Sequence, residues 1–93
     1  MMILTGTLTS EKAPAYLKHL CKQFTRKHAV TSTESEGDVT FDFGSAVIST
    51  AGNQLKVVVT LTNDADAKKA QRVFDNHIGK IASQEPGVSL TWA

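Results

Sequence analysis

At 93 residues, with 41% apolar and 20% charged side chains, the chain has room for one domain that folds without staples, and its composition is not that of a disordered segment. A net charge of +1 gives no whole-molecule attraction to nucleic acid or anionic lipid, and a lone cysteine excludes an internal disulfide and a thiolate-cluster metal site. No stretch approaches the roughly 20 apolar residues of a membrane span, and the N-terminus lacks the basic lead and cleavage site of a signal peptide. A reducing, cytoplasmic setting is the expectation.

Taken in chain order, residues 2–9 alternate Leu4, Gly6 and Leu8 with threonines and read as a strand. Ser10 reads as an N-cap, and Pro14 falls in a first helical turn, where its missing N–H costs nothing. Ala13, Tyr16, Leu17, Leu20, Cys21 and Phe24 then recur at helical spacing, which predicts a helix over 11–27. A weaker strand follows at 29–33. Val39, Phe41 and Phe43 alternate with Asp38, Thr40 and Asp42, as in a half-buried strand. Gly44-Ser45 reads as a hairpin turn into 46–51, and Gly52-Asn53 as another into 54–62. Asn63 or Asp64 caps a second helix whose stripe is Ala67, Ala70, Val73, Phe74, Ile78 and Ile81. Pro86-Gly87 turns into a last strand, 88–92.

The predicted order is β-α-β-β-β-β-α-β. Two amphipathic helices need one apolar sheet face, so the expected fold is an α+β two-layer sandwich: an antiparallel curved sheet with both helices on one face. The order matches the topology of TATA-binding-protein-like folds with one added strand, a likeness of topology that carries no function.

The richest segment is 16–28, which holds four of the ten lysine and arginine side chains, two of the three histidines and Cys21. Lys18, Lys22 and Arg26 stand at i, i+4 and i+8, with His19 beside them. Like charges at this spacing oppose the helix by a few tenths of a kcal/mol per pair. Either the acidic run Glu34, Glu36, Asp38 and Asp42 offsets them, or they form a solvated face, or they await a carboxylate, a phosphate or an acidic protein surface. Cys21 lies on the apolar stripe, which favours an inert core thiol over a nucleophile activated by its basic neighbours. His19 and Cys21 point in different directions, and Cys21 and His28 are about 10 Å apart along a helix, so no single-chain metal site is expected. The outer sheet face, with Thr40, Val47, Ser49, Val58, Thr60, Ser89 and Thr91, is either harmlessly exposed or a homodimer surface. No hydrolase, Walker, zincin or dinucleotide motif occurs, and the aromatic residues sit at core positions, leaving no stacking platform for nucleic acid.

Tyr16-Leu17-x-x-Leu20-Cys21-Lys22, then Phe24 and Lys27, then Phe41-x-Phe43-Gly44, resemble the bacterial family catalogued as domain of unknown function 2218 along nearly the whole chain. The resemblance implies a small bacterial α+β domain without an established activity, in some members associated with siderophore-interacting flavoprotein domains. The chain departs from the family in having Gln23 and Arg26 where many members carry histidines.

The expectation is a non-catalytic binding or accessory module without a cofactor, whose contacts are Lys18, His19, Lys22 and Arg26. The alternatives are an enzyme or accessory factor in siderophore or iron metabolism, using Cys21 as a reactive thiol or histidines at a subunit junction, and a structural homodimer through the outer sheet face. Native mass separates the monomer from the dimer.

Overall fold

The computed structural model describes residues 2–83, 85 and 87–92. Its elements are β1 (Met2–Thr9), α1 (Ala13–Phe24), β2 (Ala29–Ser32), β3 (Glu36–Phe41), β4 (Gly44–Ala51), β5 (Gln54–Leu61), a 3-10 turn (Asp64–Asp66), α2 (Ala67–Ile81) and β6 (Thr91–Trp92). The six strands form one antiparallel sheet in the order β2-β3-β4-β5-β1-β6. β1 lies along β5 over its full length, from Met2 opposite Leu61 to Thr9 opposite Gln54.

Period-2 patterning sets the two faces of the sheet. Leu4, Leu8, Val39, Phe41, Ala46, Ile48, Leu55, Val57, Val59 and Leu61 are buried under the helices. The helices reply with Ala13, Tyr16, Leu17, Leu20, Cys21 and Phe24 from α1 and with Ala70, Phe74 and Ile78 from α2. The other face has no second layer: Thr5 stands opposite Val58, Val58 opposite Val47, and Ile3 remains 59% exposed. This is the predicted two-layer α+β arrangement.

Several local expectations are corrected. The β3–β4 turn is Asp42-Phe43, since Phe41 pairs with Gly44, so Gly44-Ser45 opens a strand. Phe43 still reaches the core from the turn by stacking on Phe41 at 4.7 Å and 11°, which is why it mimicked a strand position. Gly37 lies inside β3, and Thr33 N–H donates to Glu36 O across the preceding turn. The Gly52-Asn53 turn is as expected, with Ala51 paired to Gln54. Asn63 caps the 3-10 turn, its side chain accepting from Ala65 N–H, and α2 starts only at Ala67. The last strand shortens to Thr91 and Trp92, opposite Thr7 and Gly6; Ser89 is outside it, and Pro86 of the expected turn lies outside the described residues.

α1 is shorter at both ends than expected. Ser10 Oγ accepts from Lys12 N–H, holding the turn before the helix, and the helix begins at Ala13, leaving Glu11 outside its first turn. Ser10 Oγ also donates to Glu85 Oε1 at 2.7 Å, and the Tyr16 hydroxyl donates to the same oxygen. These bonds tie the segment after α2 onto the start of α1. They hold the Glu85 carboxyl below its ordinary range, Tyr16 contributing most, then Ser10, against a smaller opposing effect of burial and with help from Lys12. A carboxylate with a depressed folded pKa stabilises the fold above its unfolded pKa, and that contribution is lost as pH falls through the folded value. The wild type is therefore expected to be more stable than Glu85→Gln at neutral pH. The gap in denaturation midpoint should close on acidification below the ordinary glutamate range, about pH 4.3; a gap independent of pH would contradict the assignment.

Candidate functional site

The basic residues of the 16–28 segment do not share one surface. Successive i+4 steps on an α-helix advance by about 40° around the axis, so the line through Lys18, Lys22 and Arg26 curves away from itself. The end of α1 adds to this drift. Thr25 Oγ1 donates to Cys21 O at 2.7 Å, and Arg26 N–H and Lys27 N–H donate to the carbonyls three residues back, Gln23 O and Phe24 O. The winding tightens, and Arg26 and Lys27 lie on a turn beyond the helix.

Lys18 and Lys22 border a hollow of about 510 Å³ between α1 and the segment that ends β2. Its apolar lining is Leu17 and Cys21, and its polar lining adds Thr25, Ser32, Thr33 and Glu34. Neither lysine forms an ion pair with a carboxylate among the described residues. Of the acidic run, Glu34 alone lines this hollow, without an ion pair to either lysine, and Asp42 pairs with Lys69 of α2, at 3.3 Å. Lys22 also occupies the last turn of α1, where a cation is favoured by the helix dipole.

Cys21 is 6% exposed, and burial pushes its thiol up. A Cβ added at Gly37 would run into Cys21 Sγ, so the absence of a side chain on β3 is what lets α1 ride this close to the sheet. An enzyme-like role through Cys21 needs an accessible thiolate, and this geometry lends that route no support.

His19 and Arg26 face the other flank. His19 borders a hollow at the α1–α2 seam with Lys12, Tyr16 and Lys80, while Arg26 borders the adjoining one with His28, His77 and Lys80. His77 Nδ1 lies 2.8 Å from Val73 O, which fixes it as the protonated ring nitrogen. Its ring packs on Phe24 at 4.7 Å, and the His28 ring packs on Phe41 at 4.6 Å. Among the described residues no group of three or more His, Cys, Asp or Glu side chains is placed to hold a metal ion. Sequence reasoning missed Lys12, Lys80 and the hydroxyls of Ser32 and Thr33. Their place beside α1 depends on how the elements pack, although the lone basic residue in the last turn of α2 was a signal for Lys80.

Known proteins bear on the fold and the family. No curated protein matches the chain. A solved structure described as the NMR structure of PA4090 from Pseudomonas aeruginosa is similar over 100% of this chain and 96% of its own, with a TM-score of 0.80 and 19% identity, a likeness of fold. The sequence profile of a family described as an uncharacterized protein conserved in bacteria, DUF2218, matches residues 5–93. The motif around Cys21 and the Phe-x-Phe-Gly entry to β4 thus sit in a matched stretch that spans nearly the whole chain, which belongs to the bacterial DUF2218 family.

Proposed function

We propose that the protein is a non-catalytic binding module that takes an anionic ligand with an apolar body in the hollow between α1 and β2. The observation that carries this reading is the pairing of two lysines that have no carboxylate partner among the described residues with a lining of Leu17 and Cys21. A carboxylate there would receive charge-assisted hydrogen bonds from Lys18 and Lys22, while its hydrocarbon part would lie along the lysine stems and against the small area of Leu17 and Cys21 that reaches the hollow. The hydroxyls of Thr25, Ser32 and Thr33 offer further donors, and Glu34 at the same hollow would repel a second negative charge on the ligand.

The test is an amide-shift titration with hexanoate as the probe. Saturable shifts are expected at Lys18, Lys22, Thr25 and Thr33. Each charged hydrogen bond is worth about 1.5–3 kcal/mol, so Lys18→Gln with Lys22→Gln should weaken binding by about a hundredfold or more while leaving the spectrum of a folded protein. Undiminished binding by the double variant would sink the proposal.

A further inference from the structure

The seam between α1 and α2 carries two hollows end to end. Lys12 and His19 border one, and Arg26, Lys27, His28 and His77 the other; Gln23 and Lys80 border both. The charge gathered here is not absorbed by the fold. Lys12, Arg26, Lys27 and Lys80 make no ion pair with a carboxylate among the described residues. Glu85 acts electrostatically on Lys12, but its Oε1 is already occupied by Ser10 and Tyr16.

Helix dipoles explain part of this cluster. Arg26 and Lys27 follow the C-terminal end of α1, and Lys80 is in the last turn of α2, positions that favour cations. Lys12 is different: it stands at the N-cap of α1, the end where that helix disfavours a positive charge. Gln23, where the two hollows meet, has a buried Oε1 without a hydrogen-bond partner. Buried amide oxygens are almost always paired in folded proteins; with its oxygen unbonded by the described residues, the amide is free to turn its Nε2–H donors, the end that an oxyanion needs, toward the hollows.

We infer that the seam is a two-lobed oxyanion site for a small ligand bearing several phosphoryl groups, with Lys80 and Gln23 shared between the lobes. His19 and Arg26 are seven residues apart, five of α1 and two of the turn beyond it, a backbone separation of roughly 10 Å, so one orthophosphate cannot engage both ends of the seam and a linear oligophosphate can. Lysines supply point charges and Arg26 a planar fork, the usual complement of phosphate oxygens. Phe24, the aromatic ring at the His28 end, is 2% exposed and offers no open face for a base to stack on, which favours a small oligophosphate over nucleic acid. This site lies on the opposite flank of α1 from Lys18 and Lys22 and does not depend on the carboxylate reading.

The test is an amide-shift titration of the intact protein with tripolyphosphate and, separately, orthophosphate. Tripolyphosphate is expected to bind about tenfold or more tightly than orthophosphate, moving the amides of His19, Gln23, Arg26 and Lys80. Lys80→Gln should reduce that affinity by about tenfold, Arg26→Gln should weaken it too, and the Lys18→Gln, Lys22→Gln double variant should leave it unchanged. Equal affinity for the two anions, shifts confined to the Lys18 and Lys22 flank, no saturable binding, or tighter binding of single-stranded RNA than of tripolyphosphate would each overturn the assignment.

Discussion

Gly44→Ala is expected to lower the unfolding free energy by about 3–5 kcal/mol, combining backbone strain with overpacking. Two independent costs meet at this residue. Its φ of 145° lies where L side chains rarely go, and a Cβ there would collide with the Thr60 carbonyl, a backbone group of the neighbouring strand. A carbonyl inside a sheet cannot step aside as a flexible side chain can, so relief would require displacing β5 from β4. Gly52 provides the control. It too has positive φ, 62°, but a Cβ there meets nothing within 4 Å, so Gly52→Ala should cost only about 1–2 kcal/mol of left-handed strain. Urea denaturation of the two variants measures the difference directly. Equal losses would mean that the contact with Thr60 does not shape the β3–β4 connection.

Phe24→Ala should be of similar severity, about 3–5 kcal/mol, a large share of the roughly 5–15 kcal/mol by which a domain is held folded. Phe24 sits at the hub of the aromatic core, edge-on to Phe41 at 5.2 Å and to Phe74 at 5.4 Å, and thus joins α1, β3 and α2. Edge-to-face pairs add about 0.5–1.5 kcal/mol each beyond burial. Truncation removes both pairs, takes from the His77 ring the surface on which it rests, and leaves His28 with Phe41 alone of its two phenylalanine neighbours. Phe24→Leu keeps most of the volume and should lose clearly less. If the alanine and leucine variants melted together, the loss would come from the aromatic pairing rather than the cavity, and the volume argument would be wrong.

These sites differ in how visible they are in the amino-acid sequence. Phe24 falls on the helical period, and its burial follows from spacing alone. The role of Gly44 was misread: a glycine after an apolar residue resembles a turn, yet the turn lies one pair earlier and places Phe43, an apolar residue, where a polar one is customary. The alternation in β1, β3 and β5 gave the sheet faces correctly, because a period of two leaves no freedom once one face is buried. The final strand did not follow its pattern beyond Thr91 and Trp92, since alternation shows that a segment fits a sheet but not that a partner is within reach.

The basic stripe shows the limit most clearly. Lys18, Lys22 and Arg26 are collinear in the sequence pattern but diverge in space, through the drift of i+4 steps and the tightened turn at Thr25. What each faces is decided by Ser32, Thr33 and Glu34 on one side and by Lys80 and His77 on the other, partners ten or more positions away. Hollows between elements are properties of packing, and single-helix periodicity carries no information about them.

The sheet order also sets a timetable for biosynthesis. β1 leaves the ribosome well before β5, the strand that covers its whole length. At the usual pace of about 5–20 residues per second, Leu4 and Leu8 wait roughly 2–11 s for Val59 and Leu55, their partners on β5. The β3–β4 hairpin, closed by a two-residue turn, can assemble during this interval. This domain is therefore at its most vulnerable to chaperone capture and to self-association while β1 has been made and β5 has not.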